Sequence, residues 1–150
     1  MKLSIPLATL SQGASVDQQT GRLSIFEVIE EIPVVSLPTY IPNAVIALIL
    51  DKELADQSNI RFEIYHDAPG ADSVLVASTP FKLPPDKRRI KLLFRFSGIP
   101  IQSLGSHKLR IELIDDNETK LVKSNLGIEV FQTPQVAHGA GGRAPGEKLN

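Results

Sequence analysis

Alternation with a period of two is the feature of this chain that most narrows what it can fold into. In residues 90–96, Ile90, Leu92, Phe94 and Phe96 fall on one side, while Lys91, Leu93 and Arg95 fall on the other. Residues 108–114 set Leu109, Ile111 and Leu113 against Lys108, Arg110 and Glu112, and residues 60–65 set Ile60, Phe62 and Ile64 against Arg61, Glu63 and Tyr65. Successive strand side chains point to opposite faces, so each run predicts a strand with one buried and one solvated face. The expected core therefore includes Phe62, Ile64, Ile90, Leu92, Phe94, Phe96, Leu109, Ile111 and Leu113. Val45 to Leu50 is apolar at every position and reads as a central strand, or one covered on both faces. Leu3, Ile5 and Leu7 alternate as a first strand would, and Val74–Ala77 and Gly127–Phe131 supply two more candidates.

Turn signals separate these runs: Asp17 to Gly21, Asp67 to Asp72 around Pro69-Gly70, Pro84-Pro85-Asp86, Gly98 to Gly105 around Pro100, and Asp115 to Thr119. About seven or eight short strands between such turns predict an all-β chain, a single antiparallel β-sandwich, rather than alternating strands and helices. One segment fits two patterns. Ile25, Val28, Ile29 and Ile32 have helical spacing ahead of Pro33, yet Ser24, Phe26, Val28, Glu30 and Ile32 also alternate. The β-branched content and the brevity of the run favour a strand. The domain is expected to span residues 1–131. Residues 132–150, with Pro134, Gly139, Gly141, Gly142, Pro145 and Gly146 and almost nothing to bury, read as a flexible tail.

Three stretches together resemble a family of small, mostly bacterial proteins known only as a domain of unknown function. They are Ser15-Val16-Asp17 leading to Gly21-Arg22-Leu23-Ser24-Ile25, the proline-flanked approach Leu37-Pro38 and Ile41-Pro42 into Ala44–Leu50, and Gly105 to Asp115 running into an Asp/Asn turn. The resemblance covers roughly residues 3–131 and implies a β-sandwich with no known activity or site residues. The chain departs from the pattern at Asn117-Glu118, where a glycine is expected, and in the insertion-like stretch from Asp51 to Pro80.

Composition excludes several classes of function. The 150 residues contain no cysteine, which removes disulfides, thiolate metal sites, iron–sulfur clusters and a cysteine nucleophile. The run Ala44–Leu50 is far short of the ~20 residues that a membrane helix needs. The N-terminal segment is broken by Ser4, Pro6 and Thr9 and suits a strand better than a signal peptide, so a cytoplasmic location is expected. A net charge of −1 argues against general nucleic-acid binding.

No catalytic constellation stands out, and no enzyme, cofactor, metal or small-molecule ligand is expected. His66-Asp67 and Ser106-His107 are adjacent pairs, but a triad needs groups converging in space. Both histidines sit at predicted strand ends, where partial exposure in a turn is ordinary, and His107 reads as a structural residue opening its strand. Asp115-Asp116-Asn117-Glu118 lacks the alternating ligands and central glycine of a calcium loop and reads as a tight turn. Gly139 to Ala144 matches a dinucleotide fingerprint in letters, yet Pro145-Gly146 leaves no helix for it to open.

The one concentration of charge is basic. The first 75 residues carry 4 basic and 10 acidic side chains, whereas the last 75 carry 12 and 7. Lys87, Arg88, Arg89, Lys91 and Arg95, with Leu93 among them, are the candidate partner-binding residues, on a strand face that docks an anionic protein surface or another copy of the chain. The plainer reading is that these cations discourage edge-to-edge pairing, with relief from Glu63 or Glu112 across strands. The function expected is a non-catalytic interaction or assembly module. The alternatives are a structural subunit of a phage-like or secreted particle and a carbohydrate-binding sandwich, the latter handicapped by the absence of Trp and by only two Tyr.

Overall fold

The computed structural model describes residues 2–53 and 59–134. Nine strands make up the described chain: β1 (Ser4–Val16), β2 (Leu23–Val28), β3 (Glu31–Val34), β4 (Thr39–Asp51), β5 (Asn59–Asp67), β6 (Val74–Lys82), β7 (Arg89–Ile101), β8 (Gly105–Asp115) and β9 (Lys120–Gln132). They form two packed sheets, one ordered β2-β1-β4-β7 and the other β3-β9-β8-β5-β6. Among the described residues no helix is long and apolar enough to cross a membrane.

The inner faces follow the alternation. Phe62, Ile64, Leu109, Ile111 and Leu113 from the five-stranded sheet meet Ile46, Leu48 and Leu50 from β4, all of them buried. Phe62 packs against Phe94 and Phe81, with ring centroids 5.1 and 6.0 Å apart. Ile90 is buried, whereas Leu92, Phe94 and Phe96 are only half-buried against the same core. Their face was read correctly; β7 is the edge strand of its sheet, so one flank of these side chains lies open. β4 runs between β1 and β7 and is covered on both faces, with Ile46, Leu48 and Leu50 inward and Val45 and Ala47 in a second apolar cluster on the outside.

Three expectations need correction. The sandwich is not purely antiparallel, because β3 pairs parallel to β9 with Glu31 opposite Glu129. The segment 25–32 is neither one strand nor a helix. It breaks at Ile29-Glu30, where the Ile29 amide donates to the Leu10 carbonyl of one sheet and the Glu30 carbonyl accepts from the Glu129 amide of the other. The chain crosses between sheets here, so Ile25 packs in the outer cluster while Ile29 and Ile32 pack against the main core. Two burial targets explain the mixed periodicity. Finally, Gly98 to Gly105 is not one long turn: β7 continues through Gly98, at φ 77°, and Pro100 to pair with Thr39–Ile41.

Prolines inside strands sit where no ladder donor is required. Pro33, Pro80 and Pro100 lie on edge strands, Pro6 lies at the register shift between Ser4 and Leu7, and Pro42 precedes the part of β4 that β1 covers. Just after β9 the Thr133 amide donates to the Val34 carbonyl, and the expected tail lies, from residue 135 onward, outside the described residues.

Candidate functional site

The basic stretch is held by the chain's own hairpin. β1 pairs with β4 only as far as Ser11; from there to Val16 it pairs with β2 alone. The turn joining β1 to β2 is closed by Asp17, whose Oδ1 accepts from the Gln19 and Thr20 amides, and by Gly21 at φ 71°. These backbone donors hold the Asp17 carboxyl below its usual range. The free end of this hairpin lies over the outer face of β4 and β7. Lys91 Nζ donates to the Gly21 carbonyl, and Arg95 Nη2 donates to the Ala14 carbonyl at 3.4 Å. Leu93 packs with Ala14, Leu23, Ile25, Val45 and Ala47. It is therefore covered rather than an open anchor.

Arg89 makes a bidentate pair with Asp51 across the β4–β7 ladder, at 2.7 and 2.8 Å. Glu63 and Glu112, the acids expected to relieve the basic strand, lie on the five-stranded sheet and face its other surface. Lys87 and Arg88 are exposed on the β6–β7 loop and make no ion pair among the described residues. A cleft of about 320 Å³ opens here, lined by Val16, Gly21, Lys87, Arg89 and Lys91.

The opposite edge of the molecule is acidic. In the parallel β3–β9 pair Glu31 stands directly opposite Glu129, with Glu30 at the crossover and Glu27 on β2, all exposed. Like charges directly opposite on paired strands repel. Exposed apolar side chains share this edge: Phe26 and Val28 on β2 and Phe131 on β9.

The two histidines, expected as partly exposed turn residues, are instead buried together, His66 at 7% and His107 at 1% exposure. They extend the inward-facing rows of β5 and β8, continuing Phe62-Ile64 and Leu109-Ile111 to one end of the core. The rings stack with centroids 5.1 Å apart, and His66 Nε2 lies 2.9 Å from His107 Nδ1. His107 Nε2 lies 2.8 Å from the Ser103 carbonyl. A carbonyl can only accept, so His107 carries its proton on Nε2 and accepts at Nδ1 from His66 Nε2–H. Burial, then the neighbouring imidazole, holds the His66 pKa below that of a free imidazole. Above the pair lies a cavity of about 300 Å³, framed by the β5–β6 loop and the end of β7. Carrying the alternation of residues 60–65 and 108–114 one step further on each strand is the signal that would have turned both histidines inward; their pairing, far apart in sequence, had no local signal.

The outer face of the five-stranded sheet carries a polar network. Arg110 pairs with Glu112 and with Asp67 (3.1 Å), and its guanidinium lies 4.5 Å above the Tyr65 ring. Tyr65 Oη donates to Glu63, which also accepts from Arg61, and Lys120 reaches Glu112 at 3.2 Å. Ser106 bonds Glu129 instead of His107, so the adjacent Ser-His pair does not converge. Asp115 closes its turn by accepting from the Asn117 and Thr119 amides, as a tight turn should. Glu118 occupies the left-handed position at φ 61° where a glycine was expected, and Arg61 grips its carboxylate at 2.9 and 3.2 Å. Among the described residues no group of three or more His, Asp or Glu converges as a metal site would.

The sequence profile of the Family of unknown function (DUF6941) matches residues 6–125. No curated protein matches the chain. Among solved structures, similarity extends to a Niemann-Pick type C2 protein from the Japanese carpenter ant, at 11% identity and TM-score 0.48, covering 87% of this chain and 94% of that one. A beta-glucosidase from Listeria innocua in complex with isofagomine matches at 10% identity and TM-score 0.47, over 90% of this chain but only 17% of the enzyme. The N-terminal domain of PorA matches at 10% identity and TM-score 0.37, over 83% of this chain and 97% of that domain.

Proposed function

The chain belongs to this Family of unknown function, and from that premise we propose that it is a non-catalytic assembly module in which the basic loop of one copy docks the acidic edge of the next. The observation that carries the reading is the opposition of charge across the sandwich. Glu27, Glu30, Glu31 and Glu129 gather at the β3 edge, while Lys87 and Arg88 follow β6, the other edge of the same five-stranded sheet. Strands about 4.8 Å apart put these edges roughly 20 Å from one another, too far for one copy to neutralise itself.

Exposed ion pairs contribute about 0–1 kcal/mol each, so charge sets register and orientation rather than strength. The apolar part of the contact falls to Phe26 and Val28, which are 56% and 52% exposed beside Glu27. Two different patches meeting head to tail make a contact that propagates into a ring or a filament. A subunit of a phage-like or secreted particle would use the same geometry. Carbohydrate binding has less support, because Tyr65 lies under Arg110 and leaves Tyr40 as the exposed aromatic of that kind.

Native mass in low salt tests the proposal. Concentration-dependent oligomers that dissociate as salt rises are expected. Lys87→Glu with Arg88→Glu should give a monomer, and mixing it with Glu30→Lys and Glu31→Lys should restore assembly. Lys91 and Arg95 are poorer targets, since they also hold the hairpin. A wild-type chain that stays monomeric at high concentration and low salt overturns the reading.

A further inference from the structure

The hydrogen-bond chain that ends on the Ser103 carbonyl leaves one atom unaccounted for. With His66 Nε2–H committed to His107, the other ring nitrogen, Nδ1, carries a lone pair and no proton. Nδ1 makes no hydrogen bond among the described residues. It is not sealed in the core either: Thr9 Oγ1 is the one fully enclosed side-chain polar atom left without a partner there. His66 is more than nine-tenths buried and lines the cavity, so the opening that reaches Nδ1 is the cavity itself.

The rest of the wall defines what fits. Pro69, Val74, Val76 and Pro100 make it mostly apolar, Gln102 and Ser103 add neutral polar groups, and Asp72, exposed at its rim, carries the one formal charge of the lining. The nearby Asp67 is occupied by Arg110 and Ser73, whereas Asp72 has no ion-pair partner among the described residues. An acceptor nitrogen at the floor and a carboxylate at the rim call for a ligand that donates and is positive. A volume of about 300 Å³ lies at the small end of ligand pockets.

We propose that this cavity binds a small primary alkylamine, its ammonium donating to His66 Nδ1 and facing the Asp72 carboxylate while its alkyl body lies against Pro69, Val74, Val76 and Pro100. A carboxylate of the same length is repelled by Asp72 and has no donor for the imidazole. An alcohol satisfies Nδ1 but gains nothing from Asp72. The site lies at the far end of β7 from the basic loop, so it does not depend on how copies of the chain associate.

The experiment titrates n-butylamine, n-butanol and butyrate into the full chain above neutral pH, reading the ¹⁵N shift of His66 Nδ1. Butylamine should shift that nitrogen saturably and bind about tenfold tighter than butanol, the equivalent of about 1.4 kcal/mol, while butyrate leaves it unmoved. Asp72→Asn should reduce the amine to the affinity of the alcohol. Val74→Trp, at an exposed position on the wall, should fill the mouth and abolish binding with the fold intact. An unmoved nitrogen at saturating amine overturns the proposal. So does butyrate binding equal to that of the amine, or unchanged binding in a folded Val74→Trp chain.

Discussion

On the outer face of the four-stranded sheet, Val45, Ala47 and Leu93 lie under the β1–β2 hairpin, and Lys91 and Arg95 reach past them to hairpin carbonyls. On the outer face of the five-stranded sheet, Arg61, Glu63, Tyr65, Arg110 and Glu112 cover one another. The alternation that marks both faces as outside the main core is the same. One face is nevertheless sealed by burying apolar area beneath backbone, the other by neutralising charge with charge. Glu112 shows how far the second route goes, since its side chain is 2% exposed although it points away from the core. A face that alternation marks as polar can thus be closed in two ways, and they fail under different insults.

The largest break should come from a charge placed under the hairpin. Val45→Asp buries a carboxylate beneath the hairpin, opposite an Arg95 whose guanidinium is already committed to the Ala14 carbonyl, and should cost about 3–5 kcal/mol in a denaturant titration. Hydrogen exchange should show the amides of residues 13–26 losing protection first. On the other face, Glu112→Gln leaves Arg110 its Asp67 partner but takes charge from Arg110 and Lys120, and should cost about 1–3 kcal/mol by the same titration.

Acid sharpens the contrast. Hydrogen bonds and ion pairing lower the Asp67 carboxyl through Arg110 and Ser73, and the Glu63 carboxyl through Tyr65 and Arg61. Carboxyls lowered in the fold stabilise it above their unfolded values of about 4 and lose that contribution as pH falls below them. His66, also lowered, by burial and by His107 against the opposing Asp67, stabilises the fold above about 6.5 and loses that contribution as pH falls from there. Exchange along pH steps should therefore open the His66–His107 end first and the β5–β8 network next, with the hairpin-covered strands last. The smallest effect is expected at the β8–β9 turn. Glu118→Gly relieves a left-handed backbone but removes the Arg61 contact, and should leave the thermal midpoint nearly unchanged.

The strands around residues 60–65, 90–96 and 108–114 were legible because one face of each meets a single core. The double cover of β4 was legible in the unbroken Val45–Leu50 run, and the Asp115 turn in its residue types. What alternation could not carry is any event at which a strand changes neighbours. Residues 25–32 serve two sheets in turn, so no single period describes them. Gly98 and Pro100 look like breakers, yet on an edge strand neither forfeits a needed bond. The basic stretch was plain as charge. Its occupation by Gly21 and Ala14 was not, because backbone carbonyls have no sequence signature.

The parallel pairing of β3 with β9 has a consequence for synthesis. Most of the described chain separates Glu31 from Glu129, and closing so long a loop is costly before its contacts form. On the ribosome β3 emerges early, with Ile32 and Val34 bound for a core that the last strand must help to close. Until β9 leaves the exit tunnel, that edge stays an unpaired template beside Phe26 and Val28. The acidic cluster at Glu27, Glu30 and Glu31 then has an earlier service: it keeps one nascent chain from pairing with the next.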